Sequence, residues 1–191
     1  VVKPTTTEIK DFLKSGFDVE RFKKAYGFRS LRVQDPADVM RRIWASPTFE
    51  IHGLSGGYHG QGVKTVVPGH AELKVSMRLV PCQVPERVFT LLKKHVAKVN
   101  PDVKVEKEGM LHPFKGSFEG AYVDCVKRAV KAGFGKDPAF VREGGSIGAV
   151  VTMQKTWKVP ILFIGLSLPE HGYHAPNEYY DRGQASGGMK T

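Results

Sequence analysis

Two successive kinds of chain organisation predict a mixed fold, α+β with an antiparallel sheet over residues 1–112 and α/β over residues 113–191. The first observation is strict alternation. Ala71, Leu73, Val75, Met77 and Leu79 interleave with Glu72, Lys74, Ser76 and Arg78, the period-two signature of a strand with one buried face. The second is the order strand, strand, helix, strand around it, which suits an antiparallel sheet backed by helix. The third is the apolar run Pro160–Gly165, lying between helix-like segments and too continuous for a half-exposed strand. Such runs belong to parallel sheets covered on both faces. The change of organisation falls between Leu111 and Ser117.

The elements follow in order. Thr5–Thr7 before Glu8 is a helix start, with Ile9, Phe12 and Leu13 as its apolar face and Gly16 as its stop. Asp18 caps a second helix carrying Val19, Phe22 and Tyr26, and Gly27 ends it. Asp35-Pro36 places a cap and then a proline at the first helical position, opening a third helix through Ile43 and Trp44. Phe49–His52 reads as a short strand, followed by a Gly-rich loop over 53–62 and an extended stretch over 63–67. Pro85 opens a helix with Val88, Leu91, Leu92, Val96 and Val99, stopped by Asn100-Pro101. This helix is expected to cover the apolar face of the alternating strand, leaving the sheet edge for pairing. Val103 and Val105 predict a further strand, Glu119–Ala132 a helix, Phe140-Val141 a short strand, and Ile147–Lys155 a helix.

Composition narrows the function classes. The formal charge is +10, from 29 Lys+Arg against 19 Asp+Glu, but the cations are dispersed over separate helix-like segments. No basic block or aromatic-interleaved RNA-binding motif occurs, so nucleic acid is not an expected partner. No apolar run approaches the roughly 20 residues of a membrane helix, so a membrane is not expected either. Two cysteines, Cys82 and Cys125, exclude a disulfide scaffold and suit a reducing compartment. Val1 is not a Met and no signal-peptide pattern follows, so the chain reads as a piece of a longer protein whose targeting signals would lie outside it; a cytoplasmic setting is the expectation.

Three segments carry candidate chemistry. Arg142-Glu143-Gly144-Gly145-Ser146 lies at a strand-to-helix junction, where glycines permit a tight turn and helix N–H groups can hold an anion. Its spacing matches neither the Walker nor the Rossmann pattern, so nucleotide binding is not expected. Glu170–Glu178 contains His171 and His174 three apart, without the intervening Glu of a zincin or a nearby Cys. Arg78 offers a planar fork suited to a carboxylate.

Four stretches taken together resemble one family. They are 64–68 (KTVVP), 76–81 (SMRLVP), 142–147 (REGGSI) and 172–178 (GYHAPNE), in this order. The family is the dizinc exopeptidases, which includes carnosinase, cytosolic nonspecific dipeptidase, glutamate carboxypeptidase, aminoacylase and succinyl-diaminopimelate desuccinylase. The resemblance is nearest to the dipeptidase branch.

It implies a zinc-peptidase α/β catalytic domain and an inserted α+β lid through which subunits dimerise. On this reading residues 1–112 are a helical connector and part of the lid, and residues 113–191 are the C-terminal segment of the catalytic domain. By motif position His174 is a zinc ligand, Arg78 binds the substrate carboxylate, Gly145 and Ser146 line the substrate pocket, and Thr65 contacts substrate. The family's other metal ligands and its Glu general base have no counterpart here. One His cannot hold a pair of zinc ions. The expectation is therefore part of a zinc-dependent hydrolase of dipeptides or N-acyl amino acids, homodimeric through the lid and inactive as this chain alone. The competing expectation is a non-catalytic oligomerisation or binding module, or a metal-less homologue.

Overall fold

The computed structural model describes residues 1–143 and 147–191. Seven helices and two strands form in these residues: α1 Thr6–Lys14, α2 Val19–Tyr26, α3 Pro36–Ala45, β1 Glu50–Gly56, β2 Ala71–Ser76, α4 Pro85–Val99, α5 Ala121–Phe134, α6 Gly148–Trp157 and α7 Arg182–Lys190. A 3-10 turn over Pro169–His171 precedes α7.

Local signals account for the early helices. Thr5 and Glu8 form a reciprocal capping box on α1, Asp18 caps α2 through the Arg21 N–H, and Asp35 caps α3 with Pro36 following. Their apolar faces converge on Phe12, Met40 and Ala45, with Ile9, Phe17 and Trp44 packed around them. The Phe12 and Trp44 rings meet edge to face at 5.3 Å.

The acidic member of the capping box has a second role. Glu8 is buried on α1, and its Oε1 accepts from Arg142 at 2.5 Å and from Lys115 at 2.7 Å. The Thr5 N–H donates to its Oε2 at 2.9 Å. Burial pushes this carboxyl up, but the bonds from Lys115, Thr5 and Arg142 outweigh it and hold the carboxyl at about 2. One side chain thereby joins the first helix to two segments far along the chain.

β1 and β2 pair antiparallel, with Leu54 opposite Leu73 and Ile51 opposite Val75. Ile51 and Leu54 are three residues apart and would point to opposite faces of a regular strand. A bulge between Ile51 and Gly53 inserts His52 as an extra residue, which brings both onto the face of Leu73 and Val75. The His52 imidazole bonds Ser76 Oγ at 2.5 Å.

Several expectations need correction. The strand predicted to reach Leu79 ends at Ser76, and the first strand runs to Gly56 through residues read as loop. Helix α4 forms as expected but does not cover the sheet: Leu73 is 51% exposed and Leu91 57% exposed. The segments 103–105, 140–141 and 160–165 join no ladder among the described residues. A strand needs a partner for its backbone groups, and local sequence supplies none.

One element was missed. Helix α7 contains Gly183, Gly187 and Gly188, a composition that disfavours helix by about 1 kcal/mol per glycine. Packing on α5 selects it. A Cβ at Gly133 of α5 would stand 2.5 Å from the Gly187 carbonyl oxygen, so the close approach requires glycine there.

Candidate functional site

The geometry around His174 is built from its neighbours. His171 ends the 3-10 turn and is only 2% exposed. Its Nδ1 accepts from the Leu168 N–H at 3.1 Å, which places the proton of the neutral ring on Nε2. That Nε2–H donates to Asp181 Oδ2 at 2.8 Å. The other oxygen of Asp181 accepts from the Gln184 N–H at 2.8 Å and caps α7. The Gln184 N–H first, and His171 second, hold the Asp181 carboxyl below the usual range. The rings of Tyr179 and Tyr180 stand edge-on to the imidazole at 5.1 and 5.5 Å.

Beyond His171 the chain turns outward. Gly172 and His174 both take left-handed backbone angles, with φ of 64° at each. Glycine adopts this freely, whereas at His174 it is uncommon and must be held by the surroundings. The Ala175 N–H closes the turn on the Gly172 carbonyl at 2.9 Å, and the Tyr179 N–H bonds the His171 carbonyl at 3.1 Å. The His174 side chain stands exposed at the tip, beside the Tyr173 ring.

A second set of contacts reaches the same turn from α2. Arg21 forms an ion pair and hydrogen bond with Glu170, and the Tyr26 and Tyr173 hydroxyls meet at 3.2 Å. The Arg21 bond holds the Glu170 carboxyl below its ordinary value. Burial and then the Tyr173 bond push the Tyr26 phenol up to about 12.

The sequence-predicted residues occupy separate segments. Arg78 is exposed just beyond β2, where its carbonyl accepts from the Thr48 N–H at 3.1 Å. Thr65 is exposed on the long β1–β2 connection; its neighbours Lys64 and Val66 line an open groove with Tyr58, His59 and His70, but Thr65 itself is not among the lining residues. No hydrogen bond, ion pair or ring contact joins Thr65 to His174 among the described residues. Gly145 and Ser146 lie outside the described residues. Arg142, the first residue of that loop, turns its guanidinium to Glu8, so its charge is engaged within the fold rather than offered to an anion.

The zinc implied by the resemblance can be tested against these side chains. Both nitrogens of His171 are engaged, so it is not a second ligand beside His174. No group of three or more His, Cys, Asp or Glu that could hold a metal ion occurs among the described residues. The described side chains therefore do not make a metal centre by themselves, and His174 offers one donor. Sequence reasoning overlooked Asp181 and Arg21, and it named Tyr26 only as part of a helix face and Glu170 and Tyr173 only as part of the His174 segment, without the bonds that join them. Of the two overlooked residues only Asp181 left a local trace, as a cap residue ahead of a helix.

Known proteins resemble this chain in sequence and in fold. The Cys-Gly metallodipeptidase DUG1 of Saccharomyces cerevisiae is 32% identical over 204 residues, covering 100% of this chain and 41% of that protein. The Beta-Ala-His dipeptidase of Homo sapiens is 28% identical over 188 residues, covering 95% of this chain and 37% of that protein. The solved structure of the yeast dipeptidase Dug1p superposes with a TM-score of 0.85 at 30% identity, over 100% of this chain and 41% of that one. The chain thus spans about two fifths of the length of the curated relatives it matches. Residues 7–104, about half the chain, match the peptidase dimerisation domain. They contain α1 to α4 with both strands, and on them the chain belongs to the M20 peptidase dimerisation domain family.

Proposed function

We propose that this chain is a portion of a zinc-dependent, dipeptidase- or carboxypeptidase-like amide hydrolase that works as a homodimer. The observation that carries this reading is the His174 turn, an exposed imidazole on a strained backbone braced by the bond from the buried His171 to the half-exposed Asp181. A solvent-facing side chain on a rigidly supported turn suits a ligand or substrate contact better than a packing role. His174 supplies one ligand to zinc, and the remaining ligands and the general base come from outside this chain, which alone is inactive. Residues 1–112 serve as connector and dimerisation lid, and residues 113–191 as the C-terminal segment of the catalytic domain. The substrate is a dipeptide or N-acyl amino acid. Arg78 receives its carboxylate as a planar fork, Thr65 contacts it, and Gly145 and Ser146 line its pocket. The exposed free thiols of Cys82 and Cys125 suit a cytoplasmic setting.

The test uses the protein that carries this chain, supplied with zinc and assayed on a free dipeptide and on its C-terminally amidated counterpart. Arg78→Ala should raise KM for the free dipeptide about 10- to 100-fold, as expected for losing a charge-assisted fork, and affect the amide little. His174→Ala should remove zinc and activity together. Equal losses on both substrates would overturn the role of Arg78, and an unaffected His174→Ala protein would overturn that of His174. A second reading, a non-catalytic oligomerisation module, is favoured by the open apolar face of Ile51, Leu54 and Leu73. Absence of hydrolysis in the zinc-supplied protein, with dimerisation intact, would select it.

A further inference from the structure

We propose that α2 is a positioning element for the His174 turn, with Arg21 and Tyr26 as positioning residues for the reaction; this rests on the reading of His174 given above. Glu170 and Tyr173 lie on either side of the His171-Gly172 step, and Tyr173 immediately precedes His174. Each is bonded to a different α2 residue, Glu170 to Arg21 and Tyr173 to Tyr26. The anchor behind these bonds is firm. Phe22 of α2 packs on Phe17 at 5.3 Å, Phe17 faces Trp44 at 6.4 Å, and Trp44 packs on the buried Phe12.

From its other side the turn is held by His171, through Asp181, to α7 and hence to α5. A turn gripped on two sides can keep His174 at a positive φ, which an unsupported chain would relax. His171–Asp181 sets the depth of the turn, while the α2 bonds reach the two residues nearest its tip. Helix α2 also lies inside the dimerisation-family match and His174 outside it. A displacement of that module is thereby transmitted to the position of the imidazole. The carriers are one ion pair and one hydroxyl bond, each changeable without touching the core.

The experiment compares the protein that carries this chain with its Arg21→Ala/Tyr26→Phe double variant, using zinc and the dipeptide Cys-Gly. Loss of the α2 bonds should lower kcat about tenfold, the factor one hydrogen bond's worth of positioning represents, with KM nearly unchanged. Amide exchange at Ala175 and Tyr179 should accelerate about fivefold or more as the turn opens locally, while α5 amides keep their protection. The charge-swapped pair Arg21→Glu with Glu170→Arg should recover the share of both losses that the ion pair carries, while the drop in kcat at unchanged KM, with exchange faster at the turn alone, is what a merely structural role for Arg21 would not produce. A double variant in which either kcat or the Ala175 exchange stays at the parental value overturns the proposal, as does a swap that rescues neither. His174→Ala with parental kcat would instead overturn the role of His174, leaving the exchange result to decide whether α2 holds the turn.

Discussion

The buried imidazole of His171 donates from Nε2 to Asp181 Oδ2 at 2.8 Å, and the same carboxylate caps α7 through its other oxygen. The turn bearing His174 and the last helix thus share one anchor. Replacing His171 by Ala removes a buried side chain and leaves the Leu168 N–H without its acceptor. The cost should be roughly 2–4 kcal/mol, read from urea unfolding. Asp181→Asn keeps an oxygen for the Gln184 N–H but turns an amide N–H towards the His171 Nε2–H, so it should be destabilised, though by less than Asp181→Ala, which loses both bonds. If Asn and Ala behaved alike, the double role of Asp181 would be wrong.

Acid should expose the contribution of Glu8. Its folded carboxyl lies at about 2 against 4.5 for the free side chain, so the unfolded chain takes up the proton first as pH falls. The stability it provides is complete above about pH 4.5, drains away below that, and is gone near pH 2, with a total of about 3 kcal/mol. Glu8→Gln should lose stability at pH 7, by roughly 2–4 kcal/mol, because Arg142 is left buried without its counter-charge. Its stability should also vary less between pH 5 and pH 3 than the parent's. Parallel pH profiles for the two proteins would show that Glu8 is not the responsible carboxyl.

The contact between α5 and α7 depends on the absence of a side chain. Gly133→Ala would gain about 1 kcal/mol of helix propensity but press a methyl group into the Gly187 carbonyl. The net effect should be a destabilisation of about 1–3 kcal/mol and a lower Tm. A rise in Tm would mean that α7 shifts away at no cost.

The bulged sheet makes a prediction about association. Ile51 is 64% exposed and Leu54 75% exposed, on the same face as Leu73, and no described helix covers them. Leu54→Lys with Leu73→Glu should change the monomer's stability by no more than about 0.5 kcal/mol each, since both positions are solvent-facing and the two new charges, directly opposite in the ladder, attract. In sedimentation equilibrium the parent should be a discrete dimer and the double variant a monomer. A parent that stays monomeric at high micromolar concentration, or a variant that still dimerises, would move the interface elsewhere.

Local chemistry determined much of this protein. The caps Thr5, Asp18 and Asp35, the prolines at 36 and 85, and the apolar spacing along α4 were sufficient to draw the helices in advance, because each signal acts within one or two turns. The motif around His174 likewise marked its turn. Tertiary structure decided the rest. The glycine-rich α7 exists because α5 accepts it at close range, and the expected strands at 103–105, 140–141 and 160–165 have no ladder partner among the described residues. The bulge at His52 set which apolar residues share a face, and no helix covered them. The supports of the candidate site were the least legible, since Arg21 meets Glu170 across 149 residues of chain and Tyr26 meets Tyr173 across 147. Sequence periodicity reports the geometry of one element at a time, whereas these bonds form only where the fold has already brought two distant elements together.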